Sequence, residues 1–269
     1  MSSLIGTAGW AIPANDRPSF PAEGTALERY AAVMPCLEVN SSFHRSHRRG
    51  TWERWAASVP DGFRFSAKIP KEISHVRRLV DATDALDRFL SEAGGLGGKL
   101  LVILLQLPPS FAFDVSLISS FLRAASLRTD ARIVCEPRHA SWFTQEADTL
   151  LVDHEVARAA ADPAKVPEAA QSGGWRGISY HRLHGSPVMY RSAYGEERLR
   201  SYASEIAADL AAGRQTWCIF DNTASSAALG DALILMRLLG CASSATHPVR
   251  RASTRTERAQ GSGVHRHDP

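Results

Sequence analysis

The sequence predicts an α/β protein built as a single (β/α)8, TIM-barrel-like domain over residues 1–241. Three observations lead there. Eight short apolar, strand-like runs recur along the chain, and helix-like segments separate most of them. Seven of the eight runs close on a polar or charged residue: Glu38, Lys68, Gln106, Glu136, Asp162, His184 and Asp221. A barrel of this kind takes about 250 residues and carries its active site at the C-terminal ends of the strands. A ring of ionisable groups at those ends reads as an enzyme site.

The elements follow in order. LIGTAG (4–9) is the first strand, and a Pro-rich loop leads to a helix near 25–34. The second strand, 36–40, runs into the polar loop SSFHRSHRRG. The amphipathic helix TWERWAASV then sets Trp52, Trp55 and Val59 on one face. The third strand, 63–69, stops at Pro70. A loop, KEISHVRRL, precedes a helix near 83–93 that GGLGG breaks. LLVILLQL (100–107) has no polar alternation, as expected of a parallel strand buried on both faces. A helix at 115–127, the fifth strand 132–136, the loop PRHASW and a helix at 144–153 come next. The Ala-rich run 156–162 is the sixth strand, and 163–175, with two Pro and two Gly, predicts no more than a short helical turn. The seventh strand, 178–184, has a long loop after it. A helix at 196–212, the eighth strand 216–221 and a helix near 226–239 complete the series.

Of 269 residues, 44% are hydrophobic and 22% charged, an ordinary composition for a globular protein. No apolar stretch approaches the roughly 18 residues of a membrane span, and no secretory signal is visible at MSSLIGTAGW. The four cysteines form no CxxC pair and read as buried free thiols in a reducing compartment, so a cytoplasmic location is expected. The formal charge of +3 belongs to residues 242–269, where five Arg oppose Glu257 and Asp268. This tail is expected to be disordered. The remaining body is neutral, which argues against a nucleic-acid surface. No membrane partner is expected, and the oligomeric state is not readable.

Side chains two apart on a strand share a face. Glu38 is thereby paired with Asn40, Ser66 with Lys68, Glu136 with Arg138, and Arg182 with His184. Such proximity shifts pKa values and permits acid–base chemistry. Lys68 invites either Schiff-base chemistry or a point charge for an anion. Glu136, Asp162, His184 and Asp221 form an alternative divalent-metal set, although no local motif supports it and Arg182 and Lys68 oppose a cation. Whether any cofactor is used stays open between none and such a metal. Asn222, Thr223, Ser225 and Ser226 suit helix capping or an anion site equally. His75, Arg77 and Arg78 offer further anion contacts, and Leu79 is expected to pack inward. Trp10, Phe43, Phe111 and Trp142 follow strand ends and either wall a pocket or pack. His44, His47 and His139 read as surface groups.

The segments IGTAGW, EVNSSFHR, WERWAASVP, FRFSAKIP, SHVRRL, LLVILLQLPPSF, CEPRHASW, YHRLHG and FDNTASSAAL together resemble the YecE-like family, also called the domain of unknown function seventy-two. The resemblance spans residues 4 to about 240 and implies a TIM-barrel-like fold. It points to Glu38, Asn40, Ser41, Lys68, His75, Arg78, Gln106, Glu136, Arg138, His139, Arg182, His184, Asp221 and Asn222. His44 stands where the family usually has Tyr, and ASSAAL replaces a more Gly-rich turn. The combined reading is an enzyme acting on a small polar, anionic, sugar-phosphate-like metabolite. Glu38, Lys68, Glu136, Asp162, His184 and Asp221 are its catalytic candidates. Asn40, Ser41, His75, Arg78, Gln106, Arg138, His139, Arg182 and Asn222 are its binding candidates. The alternatives are a metal-dependent isomerase, lyase or phosphoesterase, and a non-catalytic anion sensor.

Overall fold

The computed structural model describes residues 3–240. The basic tail read as disordered lies outside the described residues. Ten strands are present: β1 (Leu4–Thr7), β2 (Cys36–Val39), β3 (Arg64–Lys68), β4 (Leu100–Gln106), β5 (Arg132–Glu136), β6 (Ala157–Arg158), β7 (Ala160–Asp162), β8 (Gly173–Gly174), β9 (Ile178–Leu183) and β10 (Gln215–Phe220). Seven α-helices lie between or after them: α1 (Ala26–Ala31), α2 (Arg49–Ala57), α3 (Thr83–Ala93), α4 (Val115–Ser126), α5 (Gln145–Asp153), α6 (Glu196–Ala211) and α7 (Ala228–Leu238).

The strands form two sheets, ordered β1-β10-β9-β7 and β2-β3-β4-β5-β6-β8. Every pairing is parallel except β6 with β8. The hydrogen-bonded ladder is therefore two sheets and not one continuous closed sheet. The sheets meet at two places. Beyond β1, Ala8 bridges Glu38, and Gly9 N donates to Glu38 O at 2.9 Å. Gly6 permits this approach, because a Cβ there would lie 2.4 Å from the Cys36 carbonyl oxygen. At the other place, Ala159 separates β6, which pairs with β5, from β7, which pairs with β9. The single sixth strand expected at 156–162 is thus split between sheets.

Period-two alternation sorts the core into two clusters. Cys36, Val102, Leu104, Val134, Tyr180, Trp217 and Ile219 pack together on one face of the strands. Leu37, Phe65, Ile103, Leu105, Cys135, Leu183, Cys218 and Phe220 occupy the opposite face with the helices. The apolar run in β4 supplies both clusters, which is why it shows no polar alternation. Cys36, Cys135 and Cys218 are buried free thiols.

Several local expectations are corrected. KEISHVRRL is not a plain loop, because Arg77 N donates to Glu72 O and winds residues 72–76 into a wide π-type turn. Between β7 and β9 the expected short helical turn is present at Pro167–Ala170, and the antiparallel β8, not foreseen, is added to it. α7 begins at Ala228 without a side-chain cap, so Asn222, Thr223 and Ser225 do not cap it. No helix of the described residues is long and apolar enough to cross a membrane.

Candidate functional site

Arg182 is the centre of the polar ring. It sits late in β9, fully buried, on the same face as Tyr180. Its Nη2 donates to Glu38 Oε1 at 2.6 Å and to Asp221 Oδ2 at 3.0 Å. Its Nε reaches Glu38 Oε2 at 3.1 Å, and Nη1 reaches Glu136 Oε2 at 2.6 Å. Three buried carboxylates from β2, β5 and the end of β10 therefore converge on one guanidinium, whose planar fork suits such a role. Residues separated by 144 positions in the chain meet here because parallel strands bring their C-terminal ends to one side.

The carboxylates have further donors. Glu136 accepts both contacts of the Gln106 amide at 3.0 Å, Arg138 Nε at 3.1 Å and His184 Nε2 at 3.1 Å. Glu38 accepts from the Tyr180 hydroxyl at 3.0 Å, and Ser66 Oγ lies 2.8 Å from that hydroxyl. His184 Nδ1 faces Asp221 Oδ2 at 3.0 Å. Both ring nitrogens of His184 thus meet carboxylates, which accept only, and the imidazolium is the form that satisfies both. Burial opposes that charge, but Glu136 and the hydrogen bonds to Asp221 and Glu136 hold the His184 pKa above its ordinary value. Burial likewise opposes charge on Glu136 and Asp221. Arg182 and His184 outweigh it, holding Glu136 well below, and Asp221 below, the usual carboxylate range.

Lys68, at the end of β3, behaves differently. It is 6% exposed, and its ammonium lies 4.0 Å from the centroid of the Phe43 ring. Among the described residues its Nζ has no hydrogen bond and no ion pair within 4 Å. Burial first, then the charge of Arg182, lowers its pKa to about 8 against the pull of Glu38, Glu136 and Asp221. Three carboxylates against Arg182, Arg138, Lys68 and the His184 imidazolium leave one surplus positive charge.

The remaining candidates divide. Arg138 and His184 are covered by Tyr190, whose hydroxyl is 3.4 Å from Arg138 Nη2 and whose ring centroid is 5.5 Å from that of His184. His75 stacks edge-on against Phe43 at 5.0 Å and bonds Ser74 Oγ at 2.9 Å; burial, Lys68 and Arg138 lower its pKa. Asn40 is partly buried, and its Oδ1 has no partner. Ser41 bonds His47 at 2.8 Å. His47 is buried against Trp52 and Trp55, which corrects its reading as a surface group. Arg78 packs over Phe111 and donates to Ser110 O at 3.0 Å, while Arg77 pairs with Glu72 and Asp84. His139 accepts from Ser141 N at 3.2 Å and caps a short turn. Asn222 donates to Ser192 O at 2.9 Å and Asp231 Oδ2 at 2.7 Å, which ties the last strand to α7. Phe111, Trp142 and Leu79 are core residues, whereas Phe43 lies over Lys68.

Asp162 stands apart from the ring: its Oδ1 lies 3.5 Å from Arg198 Nη2, and its Oδ2 has no partner. The alternative metal set is therefore not brought together, because Asp162 lies apart and Arg182 sits between Glu136 and Asp221. Among the described residues no group of three or more His, Cys, Asp or Glu is arranged to hold a metal. Tyr180, Tyr190 and Ser42 escaped the sequence reading. Ser42 Oγ bonds Val39 O at 2.8 Å and Lys68 O at 2.7 Å and so splices the ends of β2 and β3. Alternation along β9 placed Tyr180 on the same face as Arg182, and that signal was available.

Parallel strands, intervening helices and a buried polar ring at the strand ends define an α/β protein with a built strand-end site. The chain belongs to the family described as protein of unknown function DUF72, whose profile matches residues 4–257. It is 31% identical over 129 residues to the UPF0759 protein YecE of Escherichia coli K12, covering 47% of each chain. It is 24% identical over 146 residues to the UPF0759 protein YunF of Bacillus subtilis, covering 52% of each. These alignments span about half the length of the curated relatives. Among solved structures, a DUF72 family protein (EF0366) of Enterococcus faecalis overlays with a TM-score of 0.75 at 16% identity, covering 89% of this chain and 96% of that one. Another (TM1631), from Thermotoga maritima, gives 0.72 at 21% identity, covering 89% and 100%. At these identities the overlays show the fold alone.

Proposed function

We propose that this chain is a cytoplasmic enzyme acting on a small anionic metabolite at the strand C-terminal ends, with Lys68 as the group that exchanges a proton with the substrate. The observation that carries this reading is the contrast inside the ring. Glu38, Glu136, Asp221, Arg182 and His184 are all committed to one another, whereas Lys68 has no such partner. A general base needs a pKa near working pH, and a value of about 8 meets that need. The carboxylates then serve to fix Arg182 and His184, and Arg138 with the surplus positive charge draws the anion. Residues 4–240 act as one domain. Its two sheets serve as a single barrel-like ring of eight strand positions, joined through Ala8–Glu38 and through the β6–β7 strand.

The test is turnover of a mixture of phosphorylated sugars and carboxylic acids, followed by mass spectrometry, alongside thermal shift. Ligand at 100 times its Kd stabilises the folded state by about 2.7 kcal/mol. Wild type should deplete one component, and Lys68→Met should bind it more weakly and leave it intact. Stabilisation without conversion would make the chain an anion sensor. Unchanged turnover by Lys68→Met would overturn the role of Lys68.

A further inference from the structure

We infer that Lys68 is an imine-forming lysine, and that the metabolite is a carbonyl compound, a 2-oxo acid or an aldose or ketose phosphate, whose anionic group is held by Arg138. This rests on the proposed function and names its substrate class.

Three observations carry it. First, Lys68 is only 6% exposed yet its Nζ has no hydrogen bond or ion pair with the described residues, while the neighbouring ionisable groups of the ring all have close partners. A lysine kept only to hold an anion works best fully charged. Here burial and Arg182 act against the charge, which leaves a usable fraction of free amine near neutral pH. Second, the Phe43 ring face lies 4.0 Å from Nζ. It stabilises a cation at that position, and a protonated imine keeps the positive charge on the same nitrogen. Third, Arg138 is partly exposed beside Tyr190, and Lys68 and Arg138 both bear on the electrostatics of His75. A cation for the carboxylate or phosphate of a carbonyl substrate is thus present on the same side as the amine.

The chemistry balances without an oxidant or cofactor. The ammonium first gives one proton to solvent. The Nζ lone pair then adds to the carbonyl carbon, a proton passes from nitrogen to oxygen, and a carbinolamine forms. That hydroxyl takes back one proton and leaves as water, and a protonated C=N bond to Lys68 remains.

The chain has four lysines, Lys68, Lys71, Lys99 and Lys165, which makes site assignment direct. The full-length protein is incubated with pyruvate, glyoxylate or glyceraldehyde 3-phosphate, reduced with borohydride and mapped by peptide mass spectrometry. The expected result is a reduced adduct on Lys68 at least tenfold above that on the exposed Lys71 and Lys165, and absent from Lys68→Arg. The wild-type map carries the result alone if that variant does not fold. Labelling of Lys68 no greater than of Lys71 overturns the inference. A second arm measures acetylation of Lys68 by acetic anhydride with and without inorganic phosphate or succinate, which have no reactive carbonyl. Protection in that arm without trapping leaves the anion site standing and removes the imine. Failure of both arms removes the site as well.

Discussion

β9 carries a polar network on each face, and the two are built differently. On one face, Tyr180 and Arg182 join Glu38, Glu136, Asp221 and His184. On the other, Ser179 and His181 meet Asp209 of α6: His181 Nε2 lies 3.0 Å from Asp209 Oδ2, Ser179 bonds both, and Arg214 closes the group at 2.6 Å. The second network uses neighbouring elements and borders a groove of about 470 Å³ lined in part by Ser172, Arg176 and Arg198. The first draws on β2, β5, β9 and β10, lies almost wholly out of water, and has a buried lysine beside it with no such bond. A helix-facing network that is fully paired can be read as structure. A strand-end network that leaves one amine free has a group to spare for a ligand.

The comparison can be broken most forcefully at Arg182. Its removal strands three buried carboxylates, and breaking a buried ion pair from one side costs about 3–5 kcal/mol. Arg182→Met should therefore lower the urea-unfolding free energy by about that amount at pH 7. Adding Glu38→Gln should restore part of it, because one uncompensated charge is removed. A loss below about 1 kcal/mol would mean that the carboxylates take up protons or water at little cost, and that the ring is not rigidly set.

Much of this arrangement was legible in the sequence. Alternation along the strands put Glu38, Lys68, Gln106, Glu136, Arg182 and Asp221 at corresponding strand ends, and the structure brings them to one site. Asp162 was misjudged because the sixth strand divides at Ala159, a feature that an Ala-rich run does not announce. The pairing of Arg182 with three carboxylates was beyond reach, since it depends on register between strands up to 144 positions apart. His47 escaped because its burial comes from Trp52 and Trp55 on the following helix, not from its own polar loop.

The next effect in size sharpens the contrast at Lys68. Its pKa of about 8 is below its ordinary 10.5, so the folded state favours the neutral amine. That contribution is fully present above 10.5 and is lost as pH falls through 8. Wild type should gain stability on the order of 2 kcal/mol across this window relative to Lys68→Met, and the variant should be the more stable at pH 7 by a similar amount. Parallel pH–stability curves for the two proteins would show that Lys68 is paired after all.

The smallest effect belongs to the helix-facing network. Burial opposes the charge of Asp209, but the bonds from His181 and Ser179, with Arg214, lower its pKa to about 2 from 3.8. This contribution is present above 3.8 and is lost as pH falls through 2. The Asp209 side chain is 13% exposed and borders the open groove, so water screens part of this charge and leaves a worth of about 1 kcal/mol. Asp209→Asn should therefore cost about that much at pH 7, and the variant should converge with wild type as the pH drops from 4 towards 2. Its ligand binding and imine trapping should match wild type, whereas Lys68→Met loses both with no loss of stability at pH 7. If Asp209→Asn instead abolished trapping at Lys68, the two faces of β9 would be coupled, and the division between a structural network and a ligand-facing one would fail.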